Sequence, residues 1–164
     1  SPGCSSHLSP VSRCARNRPS SKIPEPRMMG ETIAATAETW LGVPFKWQGQ
    51  VRAGCDCKGL VAGVAAECKR PEAQSLHALC ADYGLKVDSN RLLKGMAELF
   101  DRVNELQAGD ILVLKVAGKP QHIAIAAPQE GKPTRAIQAI HTGPMQVIAG
   151  RVPRDMIHSI WRWR

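Results

Sequence analysis

The sequence predicts an α+β domain in which N-terminal helices pack on a mainly antiparallel sheet of about five strands. Two observations predict it. Apolar residues recur at helical spacing from residue 31 to about residue 103, and short apolar or alternating runs bounded by Gly and Pro follow them. No internal repeat interrupts that order.

Residues 1–27 are rich in Ser, Pro and Arg, carry five basic residues against the single acid Glu25, and show neither helical nor strand period. They are expected to form a disordered tail. The Met28-Met29 pair that follows is a candidate translation start, which would make residues 1–27 non-native and leave 28–164 as one catalytic domain. Ile33, Ala37, Trp40 and Leu41 predict a helix over Glu31 to Leu41, ended by Gly42 and Pro44. Leu60, Val61, Val64, Ala65 and Cys68 predict one apolar stripe on a helix that begins near Cys57 and stops before Pro71. Two more helices are expected over Glu72 to Asp82 and Ser89 to Val103, separated by Gly84. The expected strands are Ile111 to Val116, His122 to Ala127, Arg135 to His141, Gln146 to Ile148 and Ile157 to Trp163.

A chain of 164 residues, 43% hydrophobic and 22% charged, suits a single core. No apolar run approaches the roughly 18 residues of a membrane helix, and no secretory signal is visible, so synthesis in the cytoplasm without a membrane span is expected. The formal charge of +8 favours polyanions in general, but the basic residues are scattered and one Tyr with two Phe offers little stacking surface, which argues against nucleic acid. The six cysteines lack the spacing of a small disulfide scaffold, and a reducing site of synthesis fits them better.

Gly54-Cys55-Asp56-Cys57-Lys58-Gly59-Leu60 places Cys57 where a polar loop becomes an apolar helix. The helix dipole and the charge of Lys58 favour the thiolate, the nucleophilic form, and the amides that follow are placed to donate to an oxyanion. A cysteine at a helix start is more often only that, so a partner is needed. His122, in a strand whose same face carries the small Ala124 and Ala126, is the candidate base. His141, closing the next strand, is the candidate for holding the imidazole, although a histidine in that place is more often structural. Cys55 and Cys57 lack a second ligand pair at zinc spacing, so no metal is expected, and the chemistry requires no organic cofactor. For Trp47, Trp161 and Trp163 core packing is the favoured role, with Trp47 also a candidate wall of the groove. Asp110 is expected to shape a turn.

In this order the residues resemble the NlpC-type peptidases, which hydrolyse bacterial cell-wall peptides on a papain-like fold. The resemblance runs from about Glu31 to Val152. Leu41-Gly42-Val43-Pro44-Phe45-Lys46-Trp47-Gln48-Gly49 is similar to the family's approach segment, Asp56-Cys57-Lys58-Gly59-Leu60 to its nucleophile motif, and Leu106-Gln107-Ala108-Gly109-Asp110 to the turn into its first core strand. His122-Ile123-Ala124-Ile125 resembles the strand of the catalytic base, and Ile140-His141 the strand of the third polar residue. The resemblance implies catalysis by Cys57, His122 and His141 on peptidoglycan stem peptides, at a bond from D-glutamate to a diamino acid, with Phe45, Trp47, Asp56 and Lys58 toward substrate. Lys58 stands where the family usually has Ser, Phe45 where it has Tyr, and Gln48 where a Gly-Gly pair begins. These departures resemble the branch found among phage and gene-transfer-particle tail genes, which implies tail proteins as partners and action on the wall within a phage-like particle. An amidase or acyltransferase on the same scaffold, or a non-catalytic wall-binding tail module, remain the alternatives.

Overall fold

The computed structural model describes Gly3, residues 25–81 and residues 88–164. Among the described residues four helices lead into a six-stranded sheet, so apart from a short ribbon after the first helix the helices-then-strands order of the sequence is the order of the fold. Helix α1 (Glu25–Glu38) starts earlier than the apolar spacing predicts and takes in the end of the segment read as tail. Pro26 is compatible with this because a first-turn residue needs no amide, and Glu25 lies at the positive end of the dipole. The tail reading for residues 4–24, like Asp82 and Gly84, lies outside the described residues.

A two-strand ribbon, β1 (Gln50–Val51) and β2 (Gly54–Cys55), precedes α2 (Cys57–Glu67). Lys58 through Ala65 are all buried, so α2 is not striped on one side but enclosed on every side. Its glycines allow that enclosure: a Cβ on Gly63 would stand 2.3 Å from Cη2 of Trp40, itself wholly buried. Helices α3 (Ala73–Ala81) and α4 (Ser89–Leu99) follow, the latter capped by Asp88, whose carboxylate accepts from the amides of Asn90 and Arg91.

The fourth predicted helix is too long. Its last residues, Phe100–Val103, form edge strand β3, paired with β8 so that Phe100 stands opposite Trp163 with the rings edge to face at 5.0 Å. Phe100 is buried, Asp101 and Arg102 are exposed and Val103 is half-buried, so the strand has no clear period of its own and the spacing of Leu99 and Val103 reads as helical. The remaining strands are β4 (Ile111–Val116), β5 (Lys119–Ala126), β6 (Arg135–Ala139), β7 (Val147–Arg151) and β8 (Ile157–Trp163). They lie in the order β3-β8-β4-β5-β6-β7, every pair antiparallel.

The main core lies between helices and sheet, where Ile33, Trp40, Leu60, Val64, Ile111, Ile123, Ile125 and Ile137 meet. A smaller cluster, including Leu112, Leu114, Ala124 and Val152, is separate from it. Asp110 does shape its turn, accepting from the Gln107 amide at 2.7 Å. It also receives the Arg162 guanidinium at 3.0 and 2.9 Å, which ties the head of β4 to β8. Trp161 and Trp163 are buried, as their alternation predicts.

Candidate active site

The head of α2 is built by Asp56. Its backbone is extended and its two carboxylate oxygens accept from the amides of Gly59 at 2.7 Å and Gln48 at 2.9 Å. One side chain therefore caps the helix and folds the preceding loop over it. The Asp56 amide in turn donates to the Gly49 carbonyl at 3.2 Å, and that carbonyl lies so near Gly59 that a Cβ there would stand 1.6 Å from it. Gln48 takes φ 59°, a left-handed backbone that glycine adopts without cost. Asp56, read from the sequence as facing substrate, borders the cleft, but its oxygens are engaged by backbone amides, which makes it a positioning residue for Cys57.

Cys57 opens α2 and is half-buried. It shares with His122 a cleft of ≈ 1100 Å³ that Phe45, Trp47, Lys58 and His141 also line. Burial by itself pushes the Cys57 thiol up, but the charge and hydrogen bond of His122 outweigh it, and the net displacement is downward. His122 moves the opposite way: burial lowers it, while the Cys57 thiolate, by charge and hydrogen bond, and the Gln138 side chain raise it above the ordinary imidazole value. The pair thus favours thiolate and imidazolium together.

Gln138, on β6, holds the ring from behind. Its Oε1 accepts from His122 Nε2 at 2.8 Å, which leaves Nδ1 as the nitrogen turned to the thiol. Here the structure corrects the sequence reading, which assigned that place to His141. Ile125 pairs with Ile137 and Ala126 with Ala136; continued in register, Gln138 falls across from Ala124, on the His122 side of the ladder. His141 would fall across from Gln121, on the other side, and β6 ends before reaching it. The signal for Gln138 was present in the sequence as the one polar residue of an otherwise apolar run on the histidine's own face.

His141 instead joins an aromatic wall. Its ring centroid lies 5.7 Å from Phe45 and 5.7 Å from Trp47, which themselves meet edge to face at 5.2 Å. The wall is held through the main chain of the approach segment. Phe45 donates to the Met145 carbonyl at 2.8 Å, and Lys46 to the Cys55 carbonyl at 3.0 Å. Trp47 is 50% exposed, so its role is at the groove rather than in the core. Lys58 is buried to 5% exposure, and burial lowers its ammonium while the charges of Cys57 and Asp56 raise it less.

Two buried thiols differ from Cys57. Burial, with the charges of Asp56 and Cys57, pushes Cys55 up to about 12, and burial foremost does the same for Cys80. Among the described residues no group of three or more His, Cys, Asp or Glu is placed to hold a metal ion, and no helix is long and apolar enough to cross a membrane.

Residues 42–151 match the model of the NlpC/P60 family. Among solved structures, the NlpC/p60 domain of the peptidoglycan hydrolase SagA is 23% identical, with a TM-score of 0.52 over 80% of this chain and 97% of that one. The P60 domain of an antigen from M. avium subspecies paratuberculosis is 15% identical, with a TM-score of 0.53 over 84% of this chain and 96% of that one. A lipoprotein-like NLP/P60 family protein from Staphylococcus aureus subsp. aureus Mu50 is 19% identical, with a TM-score of 0.53 over 83% of this chain and 41% of that one. No curated protein matches the chain.

Proposed function

The chain belongs to the NlpC/P60 family, and from that premise we propose that it is a cysteine peptidase of bacterial peptidoglycan, with Cys57 as nucleophile and His122 as base. The observation that supports this best is the coupled pair itself. A thiol at a helix head and an imidazole on the facing strand shift each other's protonation in the directions a nucleophile and its base require, inside one cleft.

In the reaction the Cys57 thiolate attacks the amide carbon, a C–S bond forms and the carbonyl oxygen gains the negative charge. The Cys57 amide, at the positive end of α2, stabilises that oxyanion. The proton on His122 Nδ1 passes to the amide nitrogen, the C–N bond breaks and the amine leaves. Water then attacks the thioester while His122 takes its proton, the C–S bond breaks, and the acid product departs from a regenerated thiolate. Gln138 keeps the imidazole turned through both steps, and the Phe45, Trp47 and His141 wall bounds the groove that receives the peptide. The bond from D-glutamate to a diamino acid of the stem peptide is the proposed target. Mass spectrometry of muropeptides released by the purified protein identifies the bond cut, and products of amide transfer in place of hydrolysis would refute the peptidase assignment.

A further inference from the structure

Away from the cleft, and sharing no lining residue with it, lies a second cavity of ≈ 540 Å³. Arg102 on β3, Arg154 on a 3₁₀ turn before β8, and His158 on β8 border it, with Thr134 and Ser159 adding hydroxyls. His158 is aimed there by a bulge. Val113 pairs with Ser159 and Leu114 with Ile157, so His158 is the extra residue of β8 and escapes the ordinary alternation.

The Trp161 indole N–H, a donor only, reaches Ser159 Oγ at 2.8 Å, and His158 Nδ1 lies 3.0 Å from the same oxygen. Burial lowers His158, and the charges of Arg102 and Lys115 lower it further. Arg102 is itself seated over the Trp161 ring, 6.0 Å from its centroid.

Arg52, Arg70, Arg135, Arg162 and Arg164 each hold a carboxylate, whereas Arg102 and Arg154, on this lining, are in no ion pair among the described residues. Glu105 is the one acid on the lining. Two cations from separate elements, Arg102 and Arg154, with the His158 imidazole and the Thr134 hydroxyl on the same lining, suit an anion with oxygens pointing in several directions. We propose that this cavity binds a phosphate group, free or within a phosphodiester.

The test uses the full chain and follows the His158 ring resonances by NMR during titration with inorganic phosphate at constant ionic strength. A bound anion offsets Arg102 and Lys115, so the His158 pKa should rise as the site fills. The shift should saturate, and Arg102→Gln and Arg154→Gln should each weaken binding about tenfold. Cleavage of a soluble peptide should be unchanged in both variants, which separates this proposal from the peptidase reading. A glycerol-phosphate oligomer and vesicles of phosphatidylglycerol serve as further arms. Tighter binding of the oligomer assigns the phosphate to a soluble polymer, tighter binding of the vesicle to a lipid surface, and saturation by inorganic phosphate alone to a free ion. A response linear in phosphate, equal with chloride, or unaltered by both substitutions overturns the proposal.

Discussion

The Gln138 side-chain oxygen sits 2.8 Å from Nε2 of His122, and this neutral contact, rather than a second imidazole, holds the ring. An amide fixes the tautomer without adding negative charge, so the rise of His122 above its ordinary value rests more on Cys57 than on Gln138. Removing the contact leaves a hydrogen bond to a charged group unmade, worth about 1.5–3 kcal/mol, or roughly 10–100-fold in rate. Gln138→Ala should lower kcat/KM by that order and move the alkaline limb of the pH profile to lower pH, since one upward influence on His122 is gone. His141→Ala should leave both limbs in place and act mainly on KM. Rate profiles of the two variants, measured side by side, check this.

The thiols should label in a fixed order. Only the thiolate alkylates, and Cys57 is displaced downward while Cys55 and Cys80 stand at about 12. Brief treatment with iodoacetamide near neutral pH, read by peptide mass spectrometry, should therefore modify Cys57 before Cys55 or Cys80. His122→Ala should slow the Cys57 reaction, because the charge and hydrogen bond that depress the thiol are removed.

Asp56 opposes the thiolate that it positions. Its charge raises both Cys57 and His122, so Asp56→Asn should move both limbs of the pH profile toward acid. The same substitution gives up one of two backbone hydrogen bonds and should cost about 1–3 kcal/mol of stability. Thermal unfolding measures the second effect separately from the first.

Much of this arrangement was readable from residue order. The helix-head thiol, the strand imidazole and the antiparallel sheet each follow from a local pattern: a cysteine at a loop-to-helix change, a histidine on a small-residue strand face, and apolar or alternating runs between turns. Strand β4 lies where its apolar run places it, and strand β8 where its alternation does. What local pattern does not carry is register. Assigning the third residue required knowing which positions of β5 and β6 share a face, and a slip of odd step moves a side chain across the sheet, as between Gln138 and His141. Strand β3 was hidden for a related reason, since its pairing partner, β8, lies at the far end of the chain.

The loop over α2 offers a test of fold rather than chemistry. Gly59→Ala sets a methyl against the Gly49 carbonyl, with backbone on both sides, and should cost more than about 2 kcal/mol or prevent folding. Gly150→Ala meets nothing within 4 Å and should be tolerated. Gln48→Gly, at φ 59°, should raise the melting temperature through about 1 kcal/mol of relieved backbone strain. Melting curves of the three variants decide these outcomes together.

The most direct measurement incubates the purified chain and its Cys57→Ala variant with peptidoglycan under reducing conditions and resolves the released muropeptides by mass spectrometry. The account predicts stem-peptide fragments from the parent chain and none from the variant, with the variant's melting temperature close to that of the parent. Equal product from both proteins would contradict Cys57 as the nucleophile.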